Sequence, residues 1–248
     1  MVAGGPEVRV VGLGEQEAVE AGDLVVAIDG PAGSGKSTVA RRVAELAGLR
    51  YLDTGATYRA LTLALLRRGV PLDDPEAVAD AAKTVDLTLE LAPGPHPDVA
   101  RVLLDGVEPG RQLRAPEVNA AVSVVAAIPA VRELLVALQR SLVGVGGIVV
   151  EGRDIGTVVW PDAEVKVFLT ASAPERARRR TGDRGGGGES PEALARRDRL
   201  DSGRAAAPTR AAEDALVLDS TERTIDEVVG EIVRLVETAR AGRHSRRR

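Results

Sequence analysis

Five apolar residues at 24–28, LVVAI, lead directly into Asp29 and then into Gly30-Pro31-Ala32-Gly33-Ser34-Gly35-Lys36-Ser37, which meets G-x-x-x-x-G-K-[ST] at every position. Nothing else in the chain restricts its fold as tightly. A continuous apolar run of this length suits a strand buried on both faces of a parallel sheet. Beyond the loop, Val39, Ala40, Val43, Ala44 and Ala47 recur at helical spacing until Gly48 stops them. A glycine-rich turn between such a strand and such a helix lets backbone N–H groups converge on phosphate oxygens, and the helix adds the positive end of its dipole. Lys36 is then placed to reach the β- and γ-phosphates of a nucleotide, and Ser37 to offer its hydroxyl to Mg²⁺. Asp29 reads equally well as a turn former ending the strand and as a functional carboxylate.

The strand-then-helix unit repeats. Residues 49–52, 147–150, 165–169 and 216–218 are short apolar segments, each closed by a polar or glycine-containing turn. Helical patterns separate them, including residues 54–68 closed by Gly69, and residues 129–142, where Pro129 opens the helix. The last helix begins with Thr224 and Glu227 in capping-box spacing and places Ile225, Val228, Val229, Ile232 and Val236 on one face. This alternation predicts an α/β fold, a five-stranded parallel sheet with helices on both faces. One segment departs from it. Residues 85–91 alternate polar and apolar side chains, and residues 99–104 end in the tight-turn pair Asp105-Gly106, so a small antiparallel insert is expected there. Residues 1–23 read as a loosely ordered leader, residues 239–248 as a basic tail, and the four glycines at 185–188 as a mobile break between helical segments.

Composition removes several function classes. With no cysteine there is no thiol nucleophile, disulfide or cysteine-ligated metal, and the two histidines, His96 and His244, lie in a proline-rich stretch and in the tail. Only four of 248 residues are aromatic (Tyr51, Tyr58, Trp160 and Phe168), so the core must be aliphatic, and a stacking platform for single-stranded nucleic acid is hard to build. The longest charge-free run, residues 118–131, is interrupted by Pro129 and falls short of the ~20 residues a membrane helix needs. Glu7 and Arg9 interrupt any secretory apolar segment, so a cytoplasmic chain without membrane partners is expected.

The net charge of −4 is unevenly spread. Residues 1–174 hold 16 basic and 23 acidic side chains, whereas residues 175–248 hold 17 and 14. Between 175 and 210, ten arginines stand against six acids. That composition fits a mobile lid closing over a polyphosphate, and equally a solvated helix face laced with ion pairs. A phosphate loop leaves the reaction open. GTPases that read guanine through N-K-x-D are excluded, because the single asparagine, Asn119, is followed by alanine. Motor ATPases need more chain, which favours a small-molecule kinase. Such an enzyme must hold a second, usually anionic, substrate in line with the γ-phosphoryl group. Arg59, following the second strand, and Arg153, at the carboxyl end of the third, are the first arginines to consider.

VAIDGPAGSGKST, LDTGATYR, EGRDIGTVVWPDA and RDRLDSGRAAAP, taken together and in this order, resemble the bacterial cytidylate kinase family over residues 24–238. The resemblance implies a P-loop nucleoside monophosphate kinase, with an acceptor-binding insert at about 54–143 and an Arg-rich lid at about 175–205. ATP phosphates would be bound by Gly30, Pro31, Ala32, Gly33, Ser34, Gly35, Lys36, Ser37 and Thr38, with Mg²⁺ held by Ser37 through ATP. Thr54, Tyr58 and Arg59 would help form the monophosphate site for CMP or dCMP. Ser123, Arg132 and Asp154 would read cytosine, Arg153 and Arg204 would bind the α-phosphate, and Arg197 with Asp201 would face the ribose. Lys36, Arg153 and Arg204 would be the catalytic set, and the chain a monomer. Glu151 stands where some members have Asp. Two alternatives remain at this point: a small kinase for another acceptor such as UMP, and a nucleic-acid-binding protein using the Arg-rich segment and tail.

Overall fold

The structure, a computed structural model, describes residues 9–11, 24–92, 99–144, 146–181, 190–204 and 207–246. In chain order its elements are β1 (Arg9–Val11), β2 (Val25–Asp29), α1 (Lys36–Ala47), β3 (Arg50–Asp53), α2 (Thr54–Arg67), α3 (Pro75–Ala82), β4 (Leu87–Ala92) and β5 (Val99–Leu104). There follow α4 (Pro116–Val125), α5 (Pro129–Val143), β6 (Ile148–Gly152), β7 (Val165–Thr170), α6 (Ala173–Thr181), α7 (Pro191–Ser202), β8 (Leu216–Asp219) and α8 (Ile225–Arg246). The strands form one sheet in the order β1-β4-β5-β3-β6-β2-β7-β8. Within it β3, β6, β2, β7 and β8 are mutually parallel, the five strands expected from the apolar segments.

Burial explains these strand sequences. All five residues of β2 are buried, as a central strand covered on both faces requires. β8, at the sheet edge, buries only Leu218 and leaves Leu216 and Val217 exposed. Two aliphatic clusters occupy the two faces. One packs α1 and α8 against the sheet through Val39, Val43, Val228, Ile232 and Val236. The other gathers α2, α3, α4 and α5 through Leu61, Leu65, Val78, Val118, Leu135 and Leu142. Each fully buried Leu, Ile or Val contributes about 1.5–3 kcal/mol from removal of apolar surface from water.

The antiparallel insert is present as β4 and β5, paired from Leu87↔Leu104 to Ala92↔Val99. The turn after β5 has Asp105 and Gly106 both at positive φ, 51° and 76°, closed by a bridge between Leu104 and Val107. That is the conformation for which an Asp-Gly pair is suited. The hairpin belongs to the main sheet, since β5 joins β3 in parallel at Tyr51↔Val99. The stretch expected as a loosely ordered leader contributes β1, which pairs in parallel with Thr88, Leu89 and Glu90 of β4. Three residues carry too little periodicity to be read as a strand from sequence. At the other end α8 continues through Arg246, so the start of the expected tail is helical, and Arg243 pairs with Glu164 at 2.6 Å. The glycines at 185–188 lie outside the described residues.

Among the described residues no single helix is long and apolar enough to cross a membrane. The bent pair α4 and α5 passes by length and composition only, and its Val118, Val125, Val131, Leu135 and Leu142 are all buried in the core.

Candidate active site

Sheet register brings the carboxyl ends of three strands together: Asp29 of β2 stands beside Gly152 of β6, and Glu151 beside Asp53 of β3. The loops leaving these ends surround a cavity of about 1390 Å³. Every site residue expected from the sequence lines it except Gly30 and Pro31, which lie at the base of the loop. Thirteen basic and eight acidic side chains line it, so the imbalance in the carboxyl-terminal third of the chain becomes a local excess of positive charge.

The loop itself is built by backbone conformation. Gly30 has φ +147°, and a Cβ there would sit 2.0 Å from the carbonyl oxygen of Leu169. Gly35, at φ +91°, precedes α1, which no side chain caps. Lys36 folds back so that its Nζ donates to Pro31 O at 2.7 Å. Burial, and after it the Arg153 guanidinium, push its ammonium well below the ordinary value.

Two arginines of α6 serve the loop. Arg176 Nη1 donates to Ala32 O at 3.1 Å and also pairs with Asp198 of α7. Arg179 Nη1 donates to Ser34 O at 3.3 Å and to Ser220 Oγ at 2.9 Å, and Ser220 Oγ itself donates to Ser34 O at 3.2 Å. With these carbonyls engaged by α6 and the β8 end, the loop keeps its N–H groups as donors for an anion. Arg178 instead pairs with Glu175 on the solvent side, so the ten arginines at 175–210 do not act as one patch. Arg180, Arg197 and Arg204 line the cavity, whereas Arg184 lies outside the described residues.

Acidic side chains at the far end are each paired with arginine. Asp154 pairs with Arg132, both side chains 7% exposed. Asp201 accepts from Ser123 Oγ at 2.9 Å and Arg153 Nε at 2.9 Å, and also pairs with Arg204. Burial opposes ionisation of Asp201, but Arg153 and Arg204 outweigh it and hold the carboxyl at about 2. Asp53 caps α2 by accepting Ala56 N–H at 3.2 Å, and stands 3.9 Å from Arg59 and 4.0 Å from Arg114. Burial brings Arg59 down to about 10; Asp53 opposes that shift, and Arg197 and Arg114 add to it. The buried Tyr58 hydroxyl has no protein partner among the described residues. Arg114 and Asn119 also line the cavity and lie outside the expected set. Asn119 Nδ2 donates to Arg114 O at 2.9 Å, and its being the only asparagine was the one sequence signal available for it.

Between the two ends stands Glu151. It accepts from the Tyr51 hydroxyl and from Ser37, while burial and then Asp53 raise its carboxyl. Thr54 Oγ1 donates to Glu151 O at 2.7 Å. Among the described residues no three or more His, Cys, Asp or Glu side chains converge as a self-sufficient metal site. A hydroxyl and a carboxylate beside a phosphate loop fit a hard cation that arrives on a polyphosphate.

A family model for cytidylate kinase matches residues 26–238. The chain is 53% identical over 226 residues to the cytidylate kinase of Rhodococcus opacus strain B4, covering 88% of this chain and 96% of that protein. It is 50% identical over 221 residues to that of Mycobacterium avium strain 104, covering 86% and 95%. With that of Streptomyces griseus it shares 48% over 222 residues, covering 88% and 94%.

Proposed function

The chain belongs to the cytidylate kinase family, and from that premise we propose how its cavity divides between two nucleotides. The protein is an ATP-dependent nucleoside monophosphate kinase that transfers the γ-phosphoryl group of ATP to CMP or dCMP, giving ADP and CDP or dCDP. The observation that carries the division is that the phosphate loop and the buried Arg132–Asp154 pair open into the same cavity. Donor and acceptor phosphates can then meet between them.

On the donor side, the N–H groups of Gly33 to Thr38 and the Lys36 ammonium hold the ATP phosphates. Ser37, beside Glu151, would hold Mg²⁺ carried in by the nucleotide, and the ion would supply neutralisation of phosphate charge. On the acceptor side, Arg59, Arg153 and Arg204 bind the CMP phosphate, with Thr54 and the Tyr58 hydroxyl as further donors. Asp154 accepts from the exocyclic amine of cytosine, with Ser123 and Arg132 completing the base contacts, and Arg197 and Asp201 face the ribose. Uracil has a carbonyl where cytosine has that amine and would set an acceptor against the Asp154 carboxylate, which would keep only Arg132 as partner. The attacking atom is already a phosphate oxygen, so no side chain is needed as a strong base. Catalysis is alignment of the two phosphates and neutralisation of charge, with direct in-line transfer. The protein acts as a cytoplasmic monomer.

A coupled assay of the purified protein with CMP, dCMP, UMP and AMP tests this reading. Turnover with CMP and dCMP far above that with UMP and AMP is expected. Folded protein that turns over UMP in preference to CMP would establish the other-acceptor alternative instead.

A further inference from the structure

Asp29 ends β2 immediately before the phosphate loop, is 5% exposed and is not part of the cavity wall. Its two oxygens accept the N–H groups of Ile155 and Gly156, each at 2.8 Å. Those residues open the helical turn Ile155–Val159, whose first N–H groups have no partner within the turn itself. The residue placed to cap that turn is Asp154, and aspartate is among the strongest capping residues. Yet Asp154 makes no side-chain cap, and its carboxylate is turned instead to Arg132.

We infer that Asp29 is a positioning residue for selection of the pyrimidine base: it caps the Ile155–Val159 turn from a different strand and thereby releases the Asp154 carboxylate for Arg132 and the substrate. A second tie fixes the same junction, because Arg153 Nη1 donates to Gly30 O at 2.9 Å, one residue beyond Asp29. The loop that holds the donor and the turn that carries Arg153 and Asp154 are thus locked together by three hydrogen bonds across β2 and β6. A carboxylate this deeply buried is not there for solubility: burial raises its carboxyl to about 6 even though both backbone N–H bonds pull the other way. The inference rests on the proposed function, since Asp154 matters to selection only if it faces cytosine.

The test is the Asp29→Asn variant, which keeps the shape but sets an NH₂ group against one of the two N–H donors. One N–H of the turn is left unpaired, and Asp154 is the nearest carboxylate able to take it. kcat/KM for CMP is expected to fall about 10- to 100-fold, the range typical for residues that orient a contacting group. kcat/KM for UMP and the KM for ATP should each change by less than about threefold, so the preference for CMP over UMP collapses. In an Asp154→Asn background, Asp29→Asn should leave the CMP-to-UMP ratio unchanged within about twofold, because the two residues act through one another. Asp29→Ser, which can accept one N–H, carries the same expectation and serves if the Asn variant does not fold. Equal losses with CMP and UMP, or effects that multiply independently in the double variant, would overturn the inference. Wild-type protein inactive on CMP would instead dispose of the function itself, and that control is read before any variant.

Discussion

Asp201→Asn removes a charge from the point where α7 is fastened to α4 and to the end of β6. In α7, Asp201 binds Ser123 of α4, Arg153 at the end of β6, and Arg204. Burial disfavours its ionised form, and Arg153 and Arg204 overcome that penalty to hold the carboxyl at about 2, against an ordinary 3.8. A carboxylate lowered on folding contributes stability above its unfolded value and loses it as pH falls through the folded value. The gap between 3.8 and about 2, at about 1.36 kcal/mol per pH unit, corresponds to about 2.4 kcal/mol at pH 7. The same linkage leaves about 1.3 kcal/mol at pH 3 and about 0.4 at pH 2. Asparagine is neutral throughout, so the difference between wild type and variant isolates this charge from every other carboxylate in the chain. Urea unfolding at pH 7, 5, 4 and 3 reads it. The difference should hold between pH 7 and 5 and shrink by about 1 kcal/mol on reaching pH 3. A difference that stays constant over that range would mean that Asp201 contributes packing and neutral hydrogen bonds only. A value below about 0.5 kcal/mol at pH 7 would mean that α7 detaches without penalty; either result refutes the reasoning.

Two further outcomes test the donor loop. Lys36→Met keeps the length of the side chain and removes an ammonium that burial disfavours; turnover should fall at least about 1000-fold, while the melting temperature stays within about 5 °C of wild type or rises. Gly30→Ala would set a Cβ 2.0 Å from Leu169 O at φ +147° and should lower unfolding stability by about 3 kcal/mol or more. Gly48→Ala, at φ +63° with nothing within 4 Å of the added Cβ, should cost only about 1–2 kcal/mol in the same denaturation assay.

What could be read from the sequence was local. β2, the loop and α1 lie within 24 residues and declare themselves by an apolar run, fixed glycines and helical spacing. The box at the start of α8 is equally local, with Thr224 N–H donating to Glu227 Oε2 at 2.8 Å and Glu227 N–H to Thr224 Oγ1 at 3.3 Å. What could not be read depends on partners far away in the chain. Arg176 and Arg179 are indistinguishable by composition from the other arginines of their segment, yet both serve loop carbonyls more than 140 positions earlier. Sequence alone leaves Asp29 balanced between a turn former and a functional carboxylate, because the N–H groups it accepts lie 126 and 127 residues on. The joining of the hairpin to the main sheet turns on one backbone pairing, Tyr51 with Val99, to which no side-chain pattern is tied.

These long-range partners share an electrostatic logic. Lys36 and Arg59 are pushed down, and Glu151, Asp154 and Asp29 are pushed up, in every case first by burial. Burial therefore disfavours the charge on these five groups in and beside the cavity, whereas Arg153 and Arg204 more than offset it at Asp201, and buried ion pairs can often be replaced by apolar side chains at no loss of stability. Their retention points to function. Basic side chains outnumber acidic ones by thirteen to eight around the cavity, and Arg59 has Arg197 and Arg114 as well as Asp53 for electrostatic neighbours. A dianionic phosphate between these guanidiniums would supply the missing countercharge. Because it binds only the folded chain, it would add about 2.7 kcal/mol of stability at a concentration 100-fold above its dissociation constant. Bound substrates would thus supply the countercharge to an ion network in which basic side chains exceed acidic ones.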